Sequence, residues 1–195
     1  MSRRSDLAVI AEAISPKTRV LDIGCGDGAL LASLRDMKRV DARGMEIDGA
    51  CVERCVAQGL SVVQGDANRD LADYPDKGFD YTVLSQTLQT ATRPDQMLDE
   101  LLRVGRQAFV SFPNFAHWRT RSALMLGGRM PVTRAIPVSW YETPNIHHVT
   151  VKDFRQLAHE KGAHIEREWF FSNGKPVSGG SNWRAEFAVF QLSRP

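Results

Sequence analysis

Between residues 19 and 34 the chain passes from a short apolar run, Arg19-Val20-Leu21-Asp22-Ile23, through Gly24, Gly26 and Gly28, to Leu30, Leu31 and Leu34. The run reads as a buried strand, and the leucines recur at helical spacing. A strand that hands over to a helix through glycines is the opening unit of an α/β fold, and the same alternation continues downstream. Val40 to Glu46 reads as a second strand. Asp48 can cap a following helix that buries Val52, Cys55 and Val56 and closes at Gly59. Leu60 to Gln64 and Phe79 to Ser85 are a third and a fourth strand. Thr92 and Asp95 make a capping-box pattern, with Pro94 in the first turn, ahead of Leu98, Leu101 and Leu102. Gln107 to Phe112 is a fifth strand. Upstream, Leu7, Ile10, Ala11 and Ile14 mark a helix that Ser15-Pro16 stops. Such an order implies right-handed crossovers and a mostly parallel sheet covered on both faces.

The pattern changes after Phe112. Residues 113–148 have no clean period, and Pro113, Pro131, Pro137 and Pro144 fall among them, with a short helix expected near Arg121 to Leu126. Thr150 and Asp153 then cap a helix carrying Phe154, Leu157 and Ala158, and strands are expected at about Ala163 to Phe171 and Ala185 to Leu192, joined like a long hairpin. The expectation is one α/β domain over residues 1–195. Its sheet is doubly wound, mostly parallel and seven-stranded, with one antiparallel strand, and a lid or interaction segment is inserted at about 113–150.

Composition narrows the class. The chain has 195 residues, 43% hydrophobic and 25% charged, enough for a sizeable core, with no apolar run long enough to span a bilayer. Glu12 interrupts the apolar stretch near the N-terminus, so that stretch lacks a signal-peptide core and points to the cytosol. Cys25, Cys51 and Cys55 are odd in number and read as reduced thiols. A net charge of +2 does not argue for nucleic acid, and nothing argues for a membrane.

The sharpest motif is Asp22-Ile23-Gly24-Cys25-Gly26-Asp27-Gly28. Glycines at a strand-to-helix junction let a ligand approach backbone N–H groups and the helix N-terminus. Gly24, Gly26 and Ala29 also satisfy the dinucleotide pattern G-x-G-x-x-G/A. Three features tilt the reading toward S-adenosylmethionine (SAM) or S-adenosylhomocysteine. Asp22 would repel a pyrophosphate but attract a cationic amino-acid moiety. Glu46, 20 residues after Gly26, can take both hydroxyls of a ribose, a feature shared with NAD proteins. Gly65-Asp66-Ala67 follows the third strand, where a carboxylate can meet an adenine amino group. A dehydrogenase would also need room for a substrate domain.

Together, Asp22-x-Gly-x-Gly-x-Gly, Glu46 and Asp66 resemble the class I SAM-dependent methyltransferases over about Arg19 to Phe112. The resemblance implies a cofactor set of Asp22, Gly24, Cys25, Gly26, Glu46, Ile47, Asp66, Ala67 and Ser85. Gly24 and Gly26 would approach the methionine part, Glu46 the ribose and Asp66 the adenine, with Ser85 at the tip of the fourth strand. A closer likeness lies outside that core. Pro113-Asn114-Phe115, His117-Trp118, Gly128-Arg129-Met130-Pro131-Val132-Thr133, Trp140-Tyr141 and Thr143-Pro144-Asn145-Ile146-His147 resemble the MetW family of methionine-biosynthesis proteins. That resemblance implies a methyltransferase-fold protein working beside homoserine O-acyltransferase.

Catalytic signatures are sparse. The segment after the fourth strand reads Ser85-Gln86-Thr87-Leu88-Gln89 in place of the Asn/Asp-Pro-Pro-aromatic pattern that holds an amide or adenine amine. No cysteine follows a proline, so the C5-pyrimidine reading loses support, and Cys51/Cys55 read as small helix residues ahead of a soft-metal pair. His117, Tyr141, His147 and His148 are candidate bases or donors toward a small-molecule acceptor, set evenly against a packed lid with polar edges. Arg119, Arg121, Arg129 and Arg134 against Glu142 give residues 113–148 a net charge of +3. Such a patch suits an acidic protein surface, an anionic metabolite or, last, RNA.

Overall fold

In a computed structural model, residues 5–133 and 136–195 are described; Arg134 lies outside them. The expected alternation appears as β1 (Arg19–Ile23), β2 (Asp41–Glu46), β3 (Ser61–Gln64), β4 (Phe79–Ser85) and β5 (Gly105–Pro113), all parallel. Helices α1 (Ser5–Ala13), α2 (Ala29–Lys38), α3 (Gly49–Ala57), α4 (Ala67–Asp70) and α5 (Pro94–Val104) surround them. The inserted segment holds α6 (Trp118–Gly127). After it come α7 (Val151–Glu160), β6 (His164–Ser172), β7 (Lys175–Pro176), α8 (Ser181–Arg184) and β8 (Phe187–Ser193).

Among the described residues, eight strands pair in the order β3-β2-β1-β4-β5-β8-β6-β7, one more than the seven expected. The extra strand is the two-residue β7, which pairs antiparallel with the end of β6 across Asn173-Gly174. Both turn residues have positive φ, 51° and 72°, as a tight two-residue hairpin requires. Pro176 and the short length of β7 hide it from a pattern search. The one long reversed strand is β8, as expected: it lies between β5 and β6 and runs against both, which leaves β6 parallel to β1–β5.

The central strands place alternate side chains in two cores, which is why they read as continuous apolar runs. Leu21, Leu84, Val110 and Phe190 pack on one face with Leu98 and Leu101 of α5 and Phe154 of α7. Val20, Val83, Phe109 and Val189 pack on the other with Ile10 of α1 and Leu30 and Leu34 of α2. Two local expectations are corrected. Val56 is exposed, because α3 flanks the sheet edge and buries only Cys55 completely. The capping box at α5 does not form. Arg93 is the N-cap and grips the Asp95 carboxylate with two hydrogen bonds of 3.0 and 2.9 Å, while the Thr92 N–H donates to Asn68 Oδ1.

Asn114, at the exit of β5, joins the inserted segment to the rest. Its Nδ2 donates to Ala185 O at 2.8 Å and Asn182 O at 3.2 Å, and its Oδ1 accepts from Ala116 N at 3.1 Å and Val151 N at 3.4 Å. Asn114→Ala leaves those groups short of a buried partner and is expected to lower the unfolding free energy by about 2–4 kcal/mol. A urea melt with an unshifted midpoint would contradict this role.

Candidate functional site

Strand order reverses between β1 and β4, and in open α/β sheets ligands bind in the crevice at the carboxyl ends of the strands flanking that point. The glycine loop leaves β1 there. Asp22, 3% exposed, lies on β1 opposite Gly44 and Val83. The Gly24 and Cys25 N–H groups both donate to Met45 O, at 2.8 and 3.2 Å, folding the loop over the end of β2. An added Cβ at Gly24 would stand 2.7 Å from Thr87 Oγ1, so the loop after β4 abuts the loop after β1. At Gly26 φ is +58°, and an added Cβ would meet nothing within 4 Å. That is a backbone open to a ligand's approach.

Glu46, at the end of β2, is buried and binds main chain on two sides. Its Oε2 accepts from Gly26 N at 2.8 Å, and its Oε1 accepts from Ile47 N at 2.8 Å and Asp48 N at 3.0 Å. An ionised carboxylate offers about four acceptor sites, so capacity for a hydroxyl remains. Ile47 keeps its apolar side chain exposed beside this group. The Gly65 N–H donates to Glu46 O at 2.9 Å, which brings Asp66 and Ala67 to the same end of the sheet. Asp66 caps α4 through the Asn68 N–H at 2.9 Å, and Ala67 packs partly against the core.

Two candidates turn inward. The Cys25 side chain packs with Leu31, Cys55 and Leu60; burial, then the charge of Asp22, push its thiol pKa well up, so its contribution at the loop is main chain. Cys55 Sγ donates to Gly26 O at 3.3 Å and is buried, whereas Cys51 is half-buried. Ser85 lies within a buried polar cluster. Asp6 Oδ2 accepts from Ser85 Oγ at 3.0 Å, Gln86 Nε2 at 2.9 Å and Ser111 Oγ at 3.2 Å. Asp6 had no sequence signal. An acid in the first turn of α1 looks like an ordinary dipole partner, and the residues it binds are 79, 80 and 105 positions away.

The four candidate bases separate. His117 is buried as the N-cap of α6, and that burial pushes its pKa below the ordinary imidazole value. Tyr141 stands exposed, edge-on to Trp140, and His148 is edge-on to Phe115 at 4.8 Å. His147 reaches the loop after β4: the Ile146 and His147 N–H groups donate to Gln89 O at 2.9 and 3.0 Å. Among the described residues, no group of three His, Cys, Asp or Glu side chains is arranged to hold a metal, and no helix is long and apolar enough to cross a membrane.

Against known proteins, the model of the family described as methionine biosynthesis protein MetW matches residues 4–192. The bifunctional methionine biosynthesis protein MetXA/MetW of Rhodopirellula baltica is 33% identical over 198 residues, covering 95% of this chain. The chain spans only 32% of that relative's length. A SAM-dependent methyltransferase from Archaeoglobus fulgidus superposes with a TM-score of 0.72 at 16% identity, covering 96% of this chain and 91% of that one. A complex of the Haloferax volcanii Trm112 methyltransferase activator with a putative methyltransferase gives 0.71 at 14% identity, covering 97% and 89%. These likenesses establish the class I methyltransferase fold, and fold alone does not assign an activity.

Asp6→Ala leaves Gln86 Nε2 without its acceptor and both serine hydroxyls short of one. It is expected to lower stability by about 2 kcal/mol or more. An unchanged thermal midpoint would remove Asp6 as the clasp between α1 and the β4 and β5 ends.

Proposed function

The chain belongs to the MetW family of methionine biosynthesis proteins, and from that premise we propose that it binds SAM or S-adenosylhomocysteine and partners and activates homoserine O-acyltransferase. The observation that carries the partnership is the Rhodopirellula baltica relative, whose name joins MetXA and MetW on one chain. We read its MetXA unit as the acyltransferase.

The cofactor reading rests on the site's charge and openness. Asp22 and Glu46 set two buried carboxylates beside an open glycine loop. That setting favours a ligand with cationic groups and a ribose, and disfavours a pyrophosphate. SAM carries its transferable methyl on a positively charged sulfur. The Gly26 backbone leaves room for the ligand, Glu46 offers an acceptor to a hydroxyl, the Ile47 side chain offers apolar surface, and Asp66 stands near for an amino group. Glu46→Ala and Gly26→Val are each expected to raise the SAM dissociation constant by about 10-fold or more in calorimetry. Circular dichroism would show the fold retained. NAD binding without SAM binding would overturn the cofactor reading in favour of a dinucleotide-dependent oxidoreductase.

A second reading is methyl transfer to a small acceptor, favoured by the contact of His147 with the loop after β4. Such a reaction asks the protein mainly to align nucleophile, methyl and leaving sulfur, and in some cases to take a proton. One set of assays separates the two readings. Co-expression with the same organism's homoserine O-acyltransferase is expected to yield a complex with a raised acyl-transfer rate. No complex and no change in rate, with methylated product from labelled SAM that Asp22→Ala and Glu46→Ala abolish, would establish the second.

A further inference from the structure

We propose that the described residues of 118–133 and 136–146 form the face that docks the acyltransferase, with Met125, Leu126, Trp140 and Tyr141 as its apolar anchors; the inference rests on the partnership above. Large apolar side chains scattered singly on a surface are ordinary, but a concentration of them marks an interaction site. Among the described residues, nine of the fourteen large exposed hydrophobics fall in this stretch. Leu126 and Met125 are 81% and 80% exposed, Trp140 73% and Tyr141 71%. Helix α6 presents Leu124, Met125 and Leu126 consecutively to solvent and fully buries only Thr120.

The segment holds itself in shape without covering these residues. Thr133 and Ile136 exchange main-chain hydrogen bonds of 2.8 and 3.2 Å, and the Glu142 and Thr143 N–H groups both donate to Ser139 O. Phe115 and Ile136 are buried and, with Met130, Val138, Trp140 and His148, line a largely apolar cavity of about 330 Å³, a socket for a side chain from outside. A pre-shaped surface loses less entropy on binding. Its residue types, Trp, Tyr, Met and Arg, are those enriched at interfaces.

Among the described residues, the cations of this face are not equally free to meet a partner. Arg119 lies 3.8 Å from Glu186 and over the Trp118 ring, and Arg121 lies over Trp183 and donates to Ala116 O at 2.6 Å. Arg129 is exposed just past α6. The partner surface is therefore apolar at its centre with an acid placed to meet Arg129. The Rhodopirellula baltica relative, whose name joins MetXA and MetW, is the reason for committing to this occupant. Joining two units on one chain gives them a millimolar-range effective concentration. A contact between them is then intramolecular, and the alignment with that relative takes in 95% of this chain.

The test is a calorimetric titration of the same organism's acyltransferase with full-length chain and with Leu126→Glu, Trp140→Ala and Arg129→Glu variants. Val56→Glu, on the exposed side of α3, is the control. The expected result is a loss of about 30-fold or more in partner affinity for Leu126→Glu and Trp140→Ala. Arg129→Glu should lose less, and Val56→Glu nothing, all with SAM affinity and thermal midpoint held. Wild-type binding that every variant retains would overturn the docking face and leave the partnership intact. No wild-type binding would overturn both. Self-association of the chain in sedimentation, abolished by Leu126→Glu, with partner affinity unaffected, would assign the face to a second copy and overturn the inference.

Discussion

The carboxylate of Glu46 holds three main-chain N–H groups from two loops, Gly26 after β1 and Ile47 and Asp48 after β2. Hydrogen bonds to an ionised, buried acceptor are among the stronger ones a protein makes. Here they fix the glycine loop against the neighbouring strand end. The Gly65 N–H closes onto the Glu46 carbonyl, so three successive strand ends meet at one residue. The open backbone at Gly26 is usable only because its neighbours are held in this way.

Around that fixed point the molecule carries two further attachments. Asp6 clasps α1 to the ends of β4 and β5, and Asn114 ties the inserted segment to α7 and α8. The segment between β5 and α7 then returns to the loop after β4 through the hydrogen bonds from Ile146 and His147 to Gln89. Between Asn114 and that return, the chain is free to present α6 and the Trp140-Tyr141 pair outward. Sheet, glycine loop and inserted face are therefore mechanically continuous.

What could be read from sequence followed the range of the interaction. The strand–glycine–helix unit, the Asp48 cap and the Thr150 cap are local and were legible, because the residues that fix them are within a few positions. Of the five parallel strands, β1, β4 and β5 were legible because burial on both faces makes them largely apolar, whereas β2 and β3, toward the sheet edge, are partly exposed and were placed by the alternation around them. The failures were tertiary. Val56 looks like core until the position of α3 at the sheet edge is known, and Arg93 captures Asp95 before the capping box can close. The inward turn of Ser85 depends on Asp6, 79 positions away. The net +3 of residues 113–148 was legible as a sum, but the assignment of Arg119 and Arg121 to Glu186, Trp118 and Trp183 required the fold.

The crevice built on Glu46, which we propose takes the cofactor, and the segment between β5 and α7 meet at Gln89, and that segment presents Trp140 and Tyr141 to solvent. Coupled through that contact, ligand at the proposed crevice alters affinity at the proposed docking face, and by the same factor in both directions. The most direct measurement is the dissociation constant for the acyltransferase with the chain SAM-free and SAM-saturated. A shift of about 5-fold or more is the expected result. Equal dissociation constants in the two states would contradict the coupling and leave the crevice and the docking face as independent features.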